Sequence, residues 1–449
     1  MEKQRDQFTN QLGVILAVAG SAVGLGNFWR FPYLVGTYGG AAFILIYLVM
    51  VVVLCLPIMF SEFIIGRSAQ SNSFGAFKKL APRTGWWGIG ILCVAASISI
   101  LSFYCVVGGW TFEYMYQSII GFSSDSLVSD ANFSLFITSP VRPIIWHLLF
   151  LGLSAAIVVA GIKNGIEKYT KILMPLLLLM IIFLAVRVLF LPGASKGVAF
   201  LFRPDFSKIT GEGVLAALGQ AFFSLSLGMG CIITYASYVK KQDNIMKLGL
   251  SSSLADLGFA LMAGVAIIPA VFAFGISPGE GPGLVFITLP RIFAQLPAGG
   301  FIGLVFFVCL LIAAITSAIS LIEVVTAYAT EELKLSRRTA VVITFVIVAI
   351  TGSLCSLSFG VLKDVTIFGK GFFDMFDYLS SNILLPLGGL LIVIFTGWVL
   401  KKKFVKDELS SQGLYRVPVF GLILFIIKFI APVAIALIFL NSLGLIKLF

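Results

Sequence analysis

The sequence predicts an all-α membrane protein in which a single transmembrane domain occupies residues 1–449. Of these residues, 59% are hydrophobic and 11% are charged, whereas soluble domains carry about 25% charged residues. The apolar residues form runs of about 20 or more, the length that a helix needs to cross the hydrocarbon core. Two of these runs are interrupted by glycine and serine, which disfavour the middle of a helix.

We expect eleven spans, and their number and flanking charges predict the topology. An odd number of spans places the two termini on opposite sides of the membrane. Loops rich in Lys and Arg fall on the side of the N-terminus, which the positive-inside rule assigns to the cytoplasm. The C-terminus is then expected outside the cell. The predicted spans are 12–36, 41–66, 87–120, 144–161, 168–190, 212–239, 246–275, 298–331, 339–358, 373–399 and 418–445.

Charge and cysteine content argue against several other classes of protein. The net charge of +11 follows from basic loops on one side of the membrane, so no nucleic-acid partner is expected. The six cysteines lie inside apolar runs without metal or redox spacing, which is typical of buried thiols. No Walker A sequence or cysteine–histidine cluster indicates an enzyme. His147 begins an apolar run and is expected at a membrane interface rather than on a metal.

The stretch Gly20–Arg30 interrupts the first span near the predicted centre of the membrane. Three glycines within seven residues each weaken a helix by roughly 1 kcal/mol relative to alanine. A packing interface of small residues would explain these glycines. It would not explain Asn27 and Arg30, which are expensive in lipid unless they face protein or water. We therefore expect a broken helix whose free carbonyl groups hold an ion.

The sixth span carries a second interruption, at 219–230, where glycine and serine again stand in an apolar run. The two interrupted spans are five helices apart, and five is odd, so the second copy enters the membrane from the opposite side. This pattern is typical of an inverted-topology repeat with a binding site between the interrupted helices. The repeats are expected at about 12–190 and 212–399, with an extra helix at about 418–445.

Four stretches resemble the neurotransmitter:sodium symporter family: GSAVGLGNFWRFPY at 20–33, GQAFFSLSLGMG at 219–230, AAITSAIS at 313–320 and FDMFDYLSSNILLPLGG at 373–389. They occur in order over nearly the whole chain. The resemblance implies the LeuT-type fold, a 5+5 inverted repeat with helices 1 and 6 broken. It also implies a sodium-coupled symporter that imports amino acids, similar to bacterial members with eleven spans. The expected location is the bacterial plasma membrane, surrounded by lipid, and the oligomeric state stays open.

The resemblance implies two sodium sites made of oxygen atoms, the ligands that hard cations prefer. On their own, Thr316 and Ser317 would more often bond back to the preceding helical turn, but their register with the other motifs favours sodium. The first site would use the Ala22 carbonyl, the Asn27 side chain, Ser224, Asp256 and the carboxylate of the substrate. The second would use the carbonyls of Gly20, Val23 and Ala313 and the hydroxyls of Thr316 and Ser317.

The resemblance also places the amino-acid substrate between the broken helices. Its carboxylate would meet the free amides of Leu25 and Gly26, since helix N-termini attract anions, and the hydroxyl of Tyr104. Phe223 matches an aromatic lid, and the adaptable Met229 suggests a pocket for bulky apolar side chains. Ordinary helix packing is the alternative for each residue. The expected substrate-binding residues are Ala22, Val23, Leu25, Gly26, Tyr104, Phe223, Ser224, Ser226, Met229, Ser320 and Leu321.

Two charge pairs are expected to act as gates. Arg30 lies one turn beyond the first break and would pair with Asp377 on the outer side, because an unpaired arginine at that depth costs several kcal/mol. On the inner side, the resemblance pairs Arg5 with Glu331 and places Tyr238 nearby. The alternative for the inner pair is that both side chains are simply solvated.

Asp256 departs from the family pattern. Chloride-dependent animal members have a neutral residue there, and Tyr47, Gln220 and Ser224 match three of their chloride-site positions. A fixed carboxylate at the first sodium site would make chloride unnecessary, so two sodium ions and no chloride are expected. The carboxylate would neutralise sodium in the loaded state and take up a proton on the empty return step. Glu62 resembles a buried glutamate that caps the break of helix 1.

Three other functions are less favoured by the sequence. A channel uses symmetric rings or a continuous pore from several subunits, whereas this chain carries two unlike broken helices. A transport-dead sensor would need a cytoplasmic output domain. A relative driven by protons alone usually has a cationic side chain where Thr316 and Ser317 stand. Sodium-coupled import of neutral, apolar amino acids is therefore the favoured function.

Overall fold

The computed structural model describes residues 6–276 and 283–446, and its regular elements within these ranges are helices. By length and composition, nine of the described helices could each cross a membrane. A further pair of helices is bent by 54° and forms a tenth candidate span. The all-α fold class is confirmed.

The spanning helices, numbered here in chain order, follow the predicted spans closely. The start of the fifth helix differs most, because a π-helical turn at Ile162–Glu167 precedes its α-helical part. The helices are α1a Gln11–Ala22, α1b Gly26–Thr37, α2 Ala41–Ala69, α3 Gly85–Ile120, α4 Arg142–Val159, α5 Ile162–Leu189, α6a Gly211–Ser224, α6b Cys231–Ala236, α7 Ile245–Ala273, α8 Gly299–Glu331, α9 Arg337–Leu357, α10 Phe372–Val399 and α11 Phe420–Ser442.

The count of eleven depends on how the interrupted sixth helix is treated. The α6a segment has 14 residues and α6b has 6, so neither half alone is long enough to cross a bilayer. Eleven spans are reached when this pair is counted as one.

The first helix breaks where its glycines predict. The α1a segment ends at Ala22, and Val23 takes an extended conformation with ψ of 104°. A π-helical turn at Gly26–Arg30 then begins α1b. A Cβ on Gly24 would lie 2.5 Å from Ser317 Oγ and 2.8 Å from Tyr104 Oη. Only glycine therefore allows α3 and α8 to approach the break so closely.

The sixth helix breaks between Ser224 and Cys231, where three residues adopt positive φ. These are Ser226 at 54°, Gly228 at 79° and Gly230 at 80°. Glu62 of α2 accepts a hydrogen bond of 2.7 Å from the Gly228 amide. The expectation that Glu62 caps the break of helix 1 is therefore wrong, because its carboxylate satisfies an amide of helix 6 instead.

The eighth helix lies at the centre of the molecule. In its most apolar 18-residue window, 83% of residues are buried, against 33% in both α5 and α11. One face of α8 carries Ser317 and Ser320, which are 7% and 1% exposed. The centre of the bundle is thus a helix that presents hydroxyl groups to the breaks.

Short helices occupy several segments expected as loops. Two of them begin at a residue that is favoured at an N-cap: Asn72 accepts from the Phe74 and Gly75 amides, and Asp125 accepts from the Leu127 and Val128 amides. The loop helices include Ser73–Leu80, Ser126–Thr138, Ala194–Phe202, Leu289–Ala294 and Lys402–Leu409.

His147 is not at an interface, contrary to the sequence expectation. Its side chain is fully buried, and a Cβ on Gly352 of α9 would lie 2.4 Å from its Cε1 atom. The ring fills the space left by this glycine, and the backbone of His147 lies against Gly109 in α3.

We predict that Gly66→Ala destabilises the protein. A Cβ on Gly66 of α2 would lie 2.1 Å from the carbonyl oxygen of Ile233 in α6b, so the two helices would have to separate. Overpacking of this kind costs about 1–3 kcal/mol. The melting temperature in detergent, followed by intrinsic fluorescence, should fall by several degrees.

The matched control is Gly258→Ala in α7, because nothing lies within 4 Å of a Cβ at that glycine. Alanine also favours a helix over glycine, so the control should melt at the same or a higher temperature. A Gly66→Ala protein that melts with the wild type would contradict close packing of α2 on α6b.

Candidate functional site

A small cavity of about 30 Å³ lies between the two helix breaks. Ten of the eleven expected substrate-binding residues line it, and four further residues, Ser21, Gly24, Ile100 and Ser317, complete its wall. Val23 is the exception: it is fully buried and does not line the cavity. The lining residues are Ser21, Ala22, Gly24, Leu25, Gly26, Ile100, Tyr104, Phe223, Ser224, Ser226, Met229, Ser317, Ser320 and Leu321.

The amide of Leu25 and the hydroxyl of Tyr104 meet at the wall of this cavity. The Leu25 amide donates to Tyr104 Oη over 3.2 Å. The Gly26 carbonyl accepts from Gln220 Nε2 over 3.2 Å. A hydroxyl and a helix-start amide side by side are suited to bind a carboxylate.

A buried cluster of Asn27, Ser224 and Asp256 lies beside the cavity. Asn27 Nδ2 donates to Asp256 Oδ1 over 2.7 Å, and Ser224 Oγ lies 3.0 and 2.9 Å from the two carboxylate oxygens. The side-chain oxygen Oδ1 of Asn27 accepts from the Gly24 amide over 3.0 Å. Asp256 is fully buried. Within the described ranges its carboxylate forms no ion pair with a basic side chain.

This cluster favours a cation. A buried carboxylate that lacks an opposite charge is costly, and hydrogen bonds from an amide and a hydroxyl offset only part of that cost. Carboxylate, amide and hydroxyl oxygens are also the ligand types that hard cations prefer. The fourth predicted member, Ala22, lines the adjoining cavity.

A second cluster surrounds Ser317 on α8. Its Oγ lies 3.5, 3.0 and 3.2 Å from the carbonyl oxygens of Gly20, Ser21 and Val23. The break in helix 1 has freed these carbonyls from their own helix. The predicted members Gly20, Val23 and Ser317 are thus together, and the Ser21 carbonyl joins them without having been predicted.

In this structure the Thr316 hydroxyl bonds back to the preceding turn of its own helix, which is the alternative to sodium binding. Its Oγ1 lies 3.1 Å from the Ile312 carbonyl oxygen and 3.0 Å from that of Ala313. The hydroxyl therefore bonds back along α8 and is next to the predicted carbonyl of Ala313 rather than across the break. Gly20 still abuts Thr316, because a Cβ on the glycine would lie 3.3 Å from Thr316 Cβ.

A larger cavity of about 410 Å³ lies on the outer side and contains both predicted outer gate residues. Arg30 stands over the ring of Phe223, 5.6 Å from its centroid. Asp377 accepts from Ser381 Oγ over 2.9 Å. No ion pair within 4.0 Å joins Arg30 to Asp377 among the described residues.

Phe223 lies between the two cavities. It lines both the small cavity and the outer one, together with Leu25, Gly26 and Tyr104. A Cβ on Gly26 would lie 3.2 Å from the Phe223 ring, so the ring packs closely against the break of helix 1.

The inner side is closed by aromatic packing and a buried carboxylate. Phe8 is 2% exposed and packs edge-on against Tyr235 and Tyr238. The Tyr238 hydroxyl donates to Glu323 Oε1 over 2.7 Å, and Arg337 pairs with the same carboxylate. We call Tyr238, Glu323 and Arg337 the inner network.

The structure describes two of the three predicted inner gate residues, Glu331 and Tyr238. Glu331 accepts from the Asn72 amide over 2.8 Å and from the Asn72 side chain over 3.0 Å. Arg5 lies outside the described residues. Tyr238 bonds to Glu323, an acid inside the apolar run of α8. Arg337 lies 14 residues after Glu323 in the sequence, and no sequence motif indicates that these two side chains pair.

Comparisons with known proteins agree with this geometry. The model of the sodium:neurotransmitter symporter family matches residues 5–124 and 139–448. The chain is 40% identical to the sodium-dependent transporter YhdH of Bacillus subtilis over 450 residues, covering 99% of each chain. It is 39% identical to a sodium-dependent transporter of Haemophilus influenzae over 455 residues, covering 98% of this chain and 99% of that one.

A solved structure is similar over the whole molecule. The crystal structure of MhsT in complex with L-phenylalanine matches with a TM-score of 0.89 and 45% sequence identity. The match covers 98% of this chain and 100% of MhsT.

We predict that Phe223→Ala opens the small cavity to the outer side. The test uses Ile100→Cys, because Ile100 lines the small cavity but not the outer one. The measurement is the rate at which a membrane-impermeant methanethiosulfonate labels this cysteine. The rate should rise several-fold when the Phe223 ring is removed, because that ring separates the two cavities.

The control is Val107→Cys, which lines the outer cavity and should react equally fast with either residue at 223. The native cysteines in the described part of the chain are buried and provide a low background. Equal labelling of Ile100→Cys in the two backgrounds would show that Phe223 is not the barrier.

Proposed function

The chain belongs to the sodium:neurotransmitter symporter family and has the LeuT-type fold, and from this premise we propose that it imports neutral, chiefly apolar amino acids with sodium. The family consists of transporters and not of enzymes. One observation carries the proposal beyond the family: two oxygen-rich clusters flank a single cavity between the two helix breaks. The clusters supply cation ligands, and the cavity supplies a place for a substrate that touches both broken helices.

An amino acid suits the chemistry of the cavity wall. The Leu25 amide and the Tyr104 hydroxyl are matched to an α-carboxylate. The side chains of Ile100, Met229 and Leu321 form an apolar surface for the rest of the molecule. The relative MhsT is seen in complex with L-phenylalanine, which supports a neutral amino acid as the substrate here.

Two sodium ions account for the two clusters. In the first, Ala22, Asn27, Ser224 and Asp256 would surround the ion, and the substrate carboxylate would complete the shell. In the second, the hydroxyls of Ser317 and Thr316 would turn from their present backbone partners to the ion. The carbonyls of Gly20, Val23 and Ala313 would bind the same ion. Because the first ion and the substrate share a ligand, each raises the affinity for the other, and this coupling is reciprocal.

Alternating access follows from the unequal packing of the two sides. The outer gate residues Arg30 and Asp377 line one open cavity, whereas Tyr238, Glu323 and Phe8 on the inner side are buried. Substrate binding would draw Arg30 toward Asp377 over the Phe223 ring. Opening of the inner side would then require Tyr238 to leave Glu323.

The topology is proposed on the charge pattern of the loops. The N-terminus is placed in the cytoplasm and the C-terminus outside a bacterial plasma membrane. Residues 12–190 and 212–399 would form the inverted repeats of one transmembrane domain. The apolar outer surfaces of α5 and α11, where only 33% of the most apolar window is buried, suit contact with lipid.

Chloride has no role in this proposal, because the residues present do not suit an anion. Ser224, one of the positions that match a chloride site, bonds to the Asp256 carboxylate instead. Tyr47 is fully buried beside the same carboxylate. A chloride ion placed among these groups would face a negative charge, so Asp256 takes over the anion's electrostatic role.

We predict that amino acids stabilise the purified protein only in sodium. A ligand at 100 times its dissociation constant stabilises a folded protein by about 2.7 kcal/mol, which raises the melting temperature by several degrees. The measurement is a thermal-shift screen of the twenty amino acids in sodium chloride and in potassium chloride. D-Phenylalanine serves as the control for non-specific hydrophobic binding. Shifts of the same size in potassium would rule out sodium coupling.

We predict that replacing Asp256 makes transport depend on chloride. Wild-type uptake into proteoliposomes should be unchanged when gluconate replaces chloride, because Asp256 already supplies the negative charge. Asp256→Ser should lose most of its uptake in gluconate and recover it in chloride. Asp256→Glu keeps the charge and should stay independent of chloride. A wild type that stops transporting without chloride would refute the role given to Asp256.

A further inference from the structure

Three serine hydroxyls meet in the wall of the small cavity. Ser21 of α1a, Ser226 in the break of helix 6 and Ser320 of α8 all line it and are at most 5% exposed. Ser21 Oγ lies 2.7 Å from Ser320 Oγ and 3.2 Å from Ser226 Oγ. We call these residues the serine cluster. None of the three hydroxyls belongs to either proposed sodium site.

The protons of the serine cluster are all committed to the protein. Ser226 Oγ donates to the Ser21 carbonyl over 2.9 Å, and Ser320 Oγ donates to the Ser317 carbonyl over 2.7 Å. Ser21 donates to one of the other two hydroxyls. Each hydroxyl has one proton and two lone pairs. All three protons are therefore used in hydrogen bonds within the protein, whereas only one of the six lone pairs accepts a proton from another member of the cluster.

The unused groups of the serine cluster are therefore acceptors. The thiol of Cys231 lies beside Ser21 and Ser320, but a thiol is a weak donor and can occupy one further lone pair at most. The cavity thus carries unfilled acceptors in a wall that is otherwise apolar at Ile100, Met229 and Leu321. Buried acceptors that stay unpaired are costly, so a ligand that donates to them gains affinity.

We propose that the serine cluster accepts a hydrogen bond from the substrate's side chain. The preferred substrates are then aromatic amino acids that end in an N–H or O–H donor, tryptophan and tyrosine, over those that are purely apolar. This inference rests on the proposed function and refines it, because it names the substrate class that the same cavity selects. Ser21 becomes a specificity residue that the sequence did not mark.

The test compares pairs of substrates that differ in one donor. Tryptophan is paired with 3-(3-benzothienyl)-L-alanine, in which sulfur replaces the indole N–H, and tyrosine is paired with phenylalanine. Affinities are measured in sodium by scintillation proximity or calorimetry on the full-length protein. One neutral hydrogen bond predicts about three- to tenfold tighter binding of the member that carries the donor. Equal or tighter binding of benzothienylalanine would overturn the inference.

Variants assign the effect to the serine cluster. In Ser21→Ala/Ser320→Ala the affinities for tryptophan and benzothienylalanine should become equal, while benzothienylalanine still binds in sodium. That second measurement also reports that the variant is folded. The control is Ser154→Ala in α4, a buried serine whose hydroxyl bonds to the Phe150 carbonyl of its own helix. It should keep the wild-type preference.

The outcomes separate this inference from the proposed function. If benzothienylalanine and leucine bind in sodium but tryptophan binds no better, the serine cluster does not select donors and the transporter function stands. If no amino acid binds in sodium, both proposals fall. If the double variant keeps the wild-type preference, the donor is recognised elsewhere and the inference is overturned.

Discussion

Two helix breaks at membrane depth leave backbone groups that lipid cannot satisfy, and the rest of the molecule is arranged around that requirement. Each unsatisfied group in hydrocarbon costs several kcal/mol. Helix 8 provides Ser317, whose hydroxyl lies within 3.5 Å of three freed carbonyls of helix 1. Helix 2 provides Glu62, which accepts a hydrogen bond from the Gly228 amide, and helix 3 provides Tyr104, which accepts one from the Leu25 amide. The scaffold helices are therefore polar where they face the breaks.

These partners are also the groups that a cation or a substrate would use. A hydroxyl that bonds to a freed carbonyl in this structure can turn its oxygen toward an ion that the same carbonyl binds, so the carbonyl keeps a polar partner throughout the exchange. Asp256 combines the same two roles, since its carboxylate accepts from Asn27 and Ser224 in this structure and its oxygens are also ligands for a cation. The binding site is thus built from the bonds that stabilise the breaks.

Sequence reasoning reached the fold and most of the cavity because both depend on local patterns. Glycine spacing locates a break within a residue or two, as at Val23, and the register of one helix then places its neighbours. Side chains that act across helices were harder to predict. Glu62 bonds to the break of helix 6 instead of helix 1, and the bond between Tyr238 and Glu323 was not predicted, because tertiary packing decides which way each side chain faces. Ser21 was missed because a serine next to a glycine reads as a helix breaker and not as a ligand.

The placement of the inner network on helix 8 has an electrical consequence. Ser317 and Glu323 are six residues apart on one continuous helix, which separates them by about 9 Å along its axis. The outer cavity is open, and the segment below Ser317 is closed by Phe8 and the network around Glu323. In the proposed orientation, a membrane potential of 100 mV, about 2.3 kcal/mol for each elementary charge, would fall mainly across the closed region between the outer cavity and the inner network. The voltage sensitivity of the proposed transport cycle would then belong to the steps that open this region.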